Sequence, residues 1–113
     1  MKPRVAAIEK VTVVETWKSG DSWYRKWSDG YIEQGGKIQT ATGSNGKYTV
    51  TFHKPMTQVL CIGGNPLVTY SKWLAYVTST SDSVTSTGFT SALVTGSDDT
   101  HSGTWLWQAC GYL

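Results

Sequence analysis

The sequence predicts an all-β fold, a compact antiparallel β-sandwich or barrel-like pair of sheets built from eight or nine short strands. Three observations carry this expectation. Charged residues make up only 16% of the 113 positions, against about a quarter in an average soluble domain. Thr, Ser and Gly take their place beside six Trp and six Tyr. β-Branched and aromatic side chains suit a pleated, half-buried surface, whereas helices favour Ala, Leu, Glu and Lys. Apolar residues also recur with a period of two, and Gly-containing turn signals separate the runs.

The elements follow in order. Val5 to Ile8 is ambiguous between a short helix and an extended lead-in, and Val11 to Trp17 reads as the first strand. Lys18-Ser19-Gly20-Asp21 is a turn by composition. Trp23-Tyr24-Arg25-Lys26-Trp27 forms a second strand, with Trp23 and Trp27 on one face and Tyr24 on the other. Asp29-Gly30 is a hairpin signal, because Gly accepts positive φ. Tyr31 to Gln34 returns, and Gly35-Gly36 marks a bulge or bend before Lys37 to Thr40.

Asn45-Gly46 signals another hairpin. Beyond it, Tyr48, Val50 and Phe52 alternate with Thr49, Thr51 and His53, the pattern of a half-buried antiparallel strand that Pro55 ends. Val59-Leu60-Cys61-Ile62 is apolar on both faces and reads as a central strand, followed by a Gly63 to Pro66 loop. Trp73 to Thr78 is a strand and Ser79 to Ser86 an exposed loop. Phe89, Ser91 and Leu93 alternate with Thr90, Ala92 and Val94, Gly96 to Gly103 is a long polar loop, and Thr104 to Tyr112 is the closing strand. No linker or internal repeat divides the chain. Residues 1–10 are read as a lead-in and 11–113 as a single β-sandwich domain.

Charge and cysteine usage exclude several function classes. The net charge is +2 and the longest basic stretch is only Arg25-Lys26, too few coordinated cations for a phosphate backbone. No run approaches the 18 or so apolar residues of a membrane span, and no secretory signal is read at the N terminus. Cys61 and Cys110 are far apart without CxxC spacing. They are read as two buried free thiols, with a disulfide between neighbouring strands as the alternative. With His53 and His101 they lack the close pairs of a zinc site.

The string Trp23-Tyr24-Arg25-Lys26-Trp27-Ser28-Asp29-Gly30-Tyr31-Ile32-Glu33-Gln34-Gly35-Gly36, preceded by Val13-Val14-Glu15-Thr16-Trp17, resembles a family signature. It is similar to the W-Y-R-x-W/Y-S-D-G-W/Y-x-E-Q-G-G opening of the C-terminal domain of tailed-phage tail fibres. Tyr48 to Phe52 resembles that family's VTF strand, and Trp105 to Tyr112 its closing W-x-A-x-G-Y strand. His53-Lys54-Pro55-Met56 departs from the family's P-x-A-F stretch.

The resemblance implies a distal fibre domain of a virion, usually part of a parallel homotrimer, that binds a lipopolysaccharide sugar or an outer-membrane protein for host adsorption. Residues 1–10 are then expected to lead in from a fibre shaft or to be an appended segment. Family domains end long fibres, so the chain is expected to be an excised tip or a short fibre protein.

Candidate site residues divide by what they can do. Trp23, Tyr24 and Trp27 suit either sugar stacking or packing within and between chains, and packing is favoured. Glu33 with Asp29 superficially suggests a glycosidase pair. Asp29 is better read as a turn cap, and Glu33 as a cross-strand partner of Arg25. Asp98, Asp99 and His101 are the compact titratable group, read as a solvated loop because hard metals need more oxygen ligands. Ser81 and Ser83 have no fixed His and acid around them for a serine triad.

Specificity is expected in loops carried on a rigid framework, at Asn65, Tyr70, Trp73, Asp82, Asp98, Asp99 and His101. No cofactor, metal or catalytic residue is expected. The leading function is host-receptor binding. A trimerisation cap without receptor contact is the alternative, and a polysaccharide-degrading enzyme is the weakest reading.

Overall fold

Alternation and turn chemistry do produce strands. The structure, a computed structural model, describes residues 10–39, 47–67, 75–79, 83–95 and 103–113. Among them are eight strands, β1 (Val13–Ser19), β2 (Ser22–Trp27), β3 (Tyr31–Gln39), β4 (Lys47–Thr51), β5 (Gln58–Leu67), β6 (Ala75–Ser79), β7 (Gly88–Thr95) and β8 (Thr104–Tyr112). They form a five-stranded sheet in the order β1-β2-β3-β8-β5 and a three-stranded sheet in the order β4-β7-β6. All pairings are antiparallel, so the expected all-β class holds.

The turns follow from their residues. Gly20 has φ 59° and Gly30 φ 91°, a region that side chains with a Cβ rarely adopt. The Gly30 N–H donates to the Trp27 carbonyl at 3.0 Å. Asp29 Oδ1 accepts from the Tyr31 N–H at 3.0 Å, the capping role expected of it.

The core lies between the sheets. Tyr24, Ile32, Ile38, Trp105, Trp107 and Ala109 enter from the larger sheet, and Val50, Phe89 and Leu93 from the smaller. Phe52 and Met56 enter from the β4–β5 connection, and Phe52, Phe89 and Trp107 meet with ring centroids 5.9–6.2 Å apart. Buried Gln34 shares the inward side of β3. Its Nε2 donates to the Lys54 carbonyl at 2.9 Å, and its Oε1 accepts from the Lys54 N–H at 3.1 Å. His53 Nε2 lies 2.9 Å from the Gly35 carbonyl. The His53-Lys54 segment is therefore held against β3, through the Gly35 carbonyl and the Gln34 side chain.

Four expectations are corrected. Gly35-Gly36 is no bulge, because β3 pairs with β8 without interruption from Tyr31↔Tyr112 to Gln39↔Thr104. The glycines instead make room for two indoles. A Cβ on Gly35 would fall 2.8 Å from the Trp23 ring, and one on Gly36 2.7 Å from Trp107 Nε1. Gly63 to Pro66 is not a loop but part of β5, paired with β8 through Leu67↔Thr104.

Val59 to Ile62 is not buried on both faces either. β5 is an edge strand whose register shifts between Val59 and Cys61, and Leu60 is 51% exposed. Finally, Cys61 and Cys110 are not free thiols. They are cross-strand partners with Cα atoms 5.1 Å apart and form a disulfide. Their pairing depends on the shifted register, which places both on one face.

Two stability effects should be measurable. Gln34→Ala would strand the Lys54 N–H and carbonyl under the sheet, costing about 2–4 kcal/mol; an unchanged denaturant midpoint would show that the amide pair holds nothing. The disulfide closes a sequence separation of 49 residues, so Cys61→Ser with Cys110→Ser should lower stability by about 2–4 kcal/mol. Reductant should lower the melting temperature of the parent and leave that of the double variant unchanged.

Candidate functional site

The face of the larger sheet turned away from the core carries the most distinctive chemistry. Residues directly opposite in antiparallel strands share a face, so the pairings set out rows across it. One row runs Trp27, Tyr31, Tyr112, and the next Arg25, Glu33, Cys110, Cys61. A third runs Trp23, Gly35, Gln108, Gly63, and a fourth includes Leu106 and Asn65.

The first row is a chain of ring contacts. Trp27 and Tyr31 are 5.4 Å apart and tilted, and Tyr31 meets Tyr112 edge-on at 5.6 Å. The Arg25 guanidinium sits 5.9 Å from the Trp27 ring centroid, a cation–π contact. Tyr31 Oη donates to Glu33 Oε2 at 3.3 Å. Burial first, then the Glu33 carboxylate and Tyr112, raise the Tyr31 phenol above its usual value near 10, so it stays a donor at neutral pH.

Trp23, Tyr31, Glu33, Gln108, Ala109 and the Cys61–Cys110 disulfide line a shallow depression of about 200 Å³ on this face. A larger hollow of about 460 Å³ touches Thr16, Trp17, Lys18, Trp23, Tyr24 and Arg25. Its lining alternates between the two faces of the β1–β2 ribbon, so it is a rim around an edge and not one site. On the inward side of that edge, Trp17 stacks on Tyr24 at 5.5 Å and meets His53 at 5.1 Å. Tyr24 Oη donates to Glu15, and Lys54 Nζ lies 5.5 Å from the Tyr24 ring centroid. The bond to Glu15, then burial and the Glu15 charge, raise the Tyr24 phenol.

The expected site residues separate accordingly. Tyr24 belongs to the core, whereas Trp23 and Trp27 are half-buried on the outer face. Arg25 and Glu33 do face each other in register, yet Lys37–Asp21 at 3.8 Å is the one ion pair among the described residues. Asn65 stands exposed on strand β5 and not in a loop. Tyr70, Trp73, Asp82, Asp98, Asp99 and His101 lie outside the described residues. Among the described residues no three His, Cys, Asp or Glu converge as metal ligands.

Tyr31, Gln108 and Tyr112 were not singled out by sequence reasoning. Their parity with Glu33 and Cys110 was the available signal.

No protein-family model matches the chain, and no curated protein matches its sequence. Solved structures do. An N-truncated R2-type pyocin tail fibre is similar over 95% of this chain and 39% of its own length, at 19% identity and a TM-score of 0.64. A C-terminal fragment of the P. aeruginosa R2 pyocin fibre is similar over 95% of this chain and 27% of its own, at 20% identity and a TM-score of 0.64. The chain thus spans well under half the length of these fibre fragments, and what it shares with that part of a pyocin tail fibre is the fold.

Proposed function

We propose that the chain is a tail-fibre domain of a phage or pyocin-like particle and attaches it to a host bacterial surface receptor, a lipopolysaccharide sugar or an outer-membrane protein. The observation that carries this reading is the fold shared over 95% of the chain with a pyocin tail fibre. The signature-like string supports it from the sequence, since its residues build the β2–β3 hairpin and the aromatic outer face.

Attachment needs no bond cleavage, and the two carboxylates of the β2–β3 hairpin have structural duties. Asp29 caps the Tyr31 N–H and Glu33 accepts from Tyr31 Oη. In this proposal Asn65 and the segments holding Tyr70, Trp73, Asp82, Asp98, Asp99 and His101 belong to the recognition surface, and the fibre works at its tip as a homotrimer.

A second reading, a trimerisation cap without receptor contact, is favoured by one feature. Leu67 and Leu106 lie on the outer face and are 48% and 40% exposed, apolar area that a neighbouring copy could cover. Light scattering showing trimers that fail to bind any host cell would select this reading.

The direct experiment incubates labelled chain with envelope mutants lacking O-antigen or single porins. Binding should disappear on one mutant class, and equal binding to all of them would overturn both receptors named. Replacing Asp98, Asp99 and His101 together by Ala should weaken cell binding while changing stability by no more than about 0.5 kcal/mol.

A further inference from the structure

The depression on the outer face brings together groups that the fold itself leaves unused. The Trp23 indole spreads across Gly35, where a Cβ would come within 2.8 Å of it. Beside it, Tyr31 Oη donates to Glu33 Oε2, which leaves Glu33 Oε1 without a hydrogen bond among the described residues. The exposed Gln108 carboxamide, with two donors and an acceptor, makes none among them either. The Cys61–Cys110 disulfide lines the same hollow and fixes edge strand β5 to β8. The result is a partly apolar aromatic wall, a carboxylate, an amide and a cross-linked floor within about 200 Å³.

We propose that this depression binds one uncharged sugar ring. A pyranose has an apolar C–H face that packs against an aromatic ring, and hydroxyls at its rim that both donate and accept. Its donors match Glu33 Oε1, and its remaining groups match the Gln108 amide. A purely apolar ligand fits poorly, because it would strip water from the carboxylate and amide without replacing those bonds. An anionic sugar fits poorly as well, because the Glu33 carboxylate faces it. The nearest cation in register, Arg25, is placed over Trp27 and does not line the hollow. The volume lies below the roughly 300–1,000 Å³ of drug-sized pockets and suits one ring of a longer glycan.

This inference rests on the attachment reading for the source of the sugar, but the site can be tested without cells. The purified chain is titrated with neutral methyl glycosides of common hexoses, deoxyhexoses and N-acetylhexosamines, and with the matching uronic acids, following tryptophan fluorescence. At least one neutral glycoside should give saturable quenching with a dissociation constant of about 1 mM, and its uronic acid should bind about tenfold more weakly.

Gln108→Ala, an exposed change that spares the core, should weaken binding about fivefold. Glu33→Gln should narrow the gap between the neutral glycoside and its uronic acid. No saturable signal with any neutral glycoside would overturn the site, as would a uronic acid that binds equally well. A parent chain whose Trp23 is shielded from an aqueous quencher by a second copy of the chain would overturn it too. Sugar binding without cell binding would overturn attachment and leave the site standing. Cell binding that survives both variants, with no sugar binding, would do the reverse.

Discussion

Buried inside β3, the carboxamide of Gln34 exchanges two hydrogen bonds with the backbone of Lys54, twenty residues further on. A buried amide without partners is costly, so its position obliges the β4–β5 connection to cross the inner face of the larger sheet there. The crossing segment is bonded along its length. The Phe52 N–H donates to the Thr87 carbonyl, the Met56 N–H to Ser86 and the Thr57 N–H to Tyr112, each at 2.8 Å. Those bonds set Phe52 and Met56 into the core, where Phe52 touches both Phe89 of the small sheet and Trp107 of the large one. Gln34 thus helps position the aromatic contact that joins the two layers.

Strands β3 and β8 of the larger sheet then present opposite chemistry on their two faces. Inward, β8 contributes Trp105, Trp107 and Ala109, all buried. Outward, it contributes Leu106, Gln108, Cys110 and Tyr112. The pair Gly35-Gly36 serves both sides, since one glycine accommodates the Trp23 indole on the outer face and the other the Trp107 indole in the core. A glycine in a strand interior ordinarily weakens it. Here each one gives an aromatic ring a place against the backbone.

Much of this arrangement was legible in the sequence. The turns at Gly20 and Gly30, the opposite facing of Trp23 and Tyr24, and the inward set Phe89, Ser91 and Leu93 follow from local chemistry and period-two alternation. What escaped depends on partners distant in the chain. A glycine pair reads alike whether it bulges or receives a ring from another strand. Gly63 to Pro66 resembles a loop until β8 pairs with it. The match of Cys61 to Cys110 requires a register shift between Val59 and Cys61, which no local pattern announces. Gln34 shares parity with Ile32 and could have been placed inward, but not its acceptor and donor on Lys54. The outer-face site was half legible, because Trp23, Tyr31 and Glu33 stood in the signature while Gln108 and the disulfide join them only through the sheet.

A recognition site built on a sheet differs physically from one built on loops. Loop residues can vary freely because they carry little packing duty, but ordering them on binding costs conformational entropy. The groups around Trp23 and Glu33 have much of that ordering already in place. The indole is set against backbone, the carboxylate is oriented by Tyr31, and the edge strand is cross-linked by the disulfide. A single ring held this way would bind weakly, yet the proposed trimer would present three such sites at once. Several weak contacts on one particle combine into strong attachment when their spacing allows simultaneous engagement. On that reasoning, rigid sheet sites of low individual affinity and loop sites would be complementary in the proposed fibre. The first would supply repeated contact with an abundant surface sugar, and the second would distinguish one host surface from another.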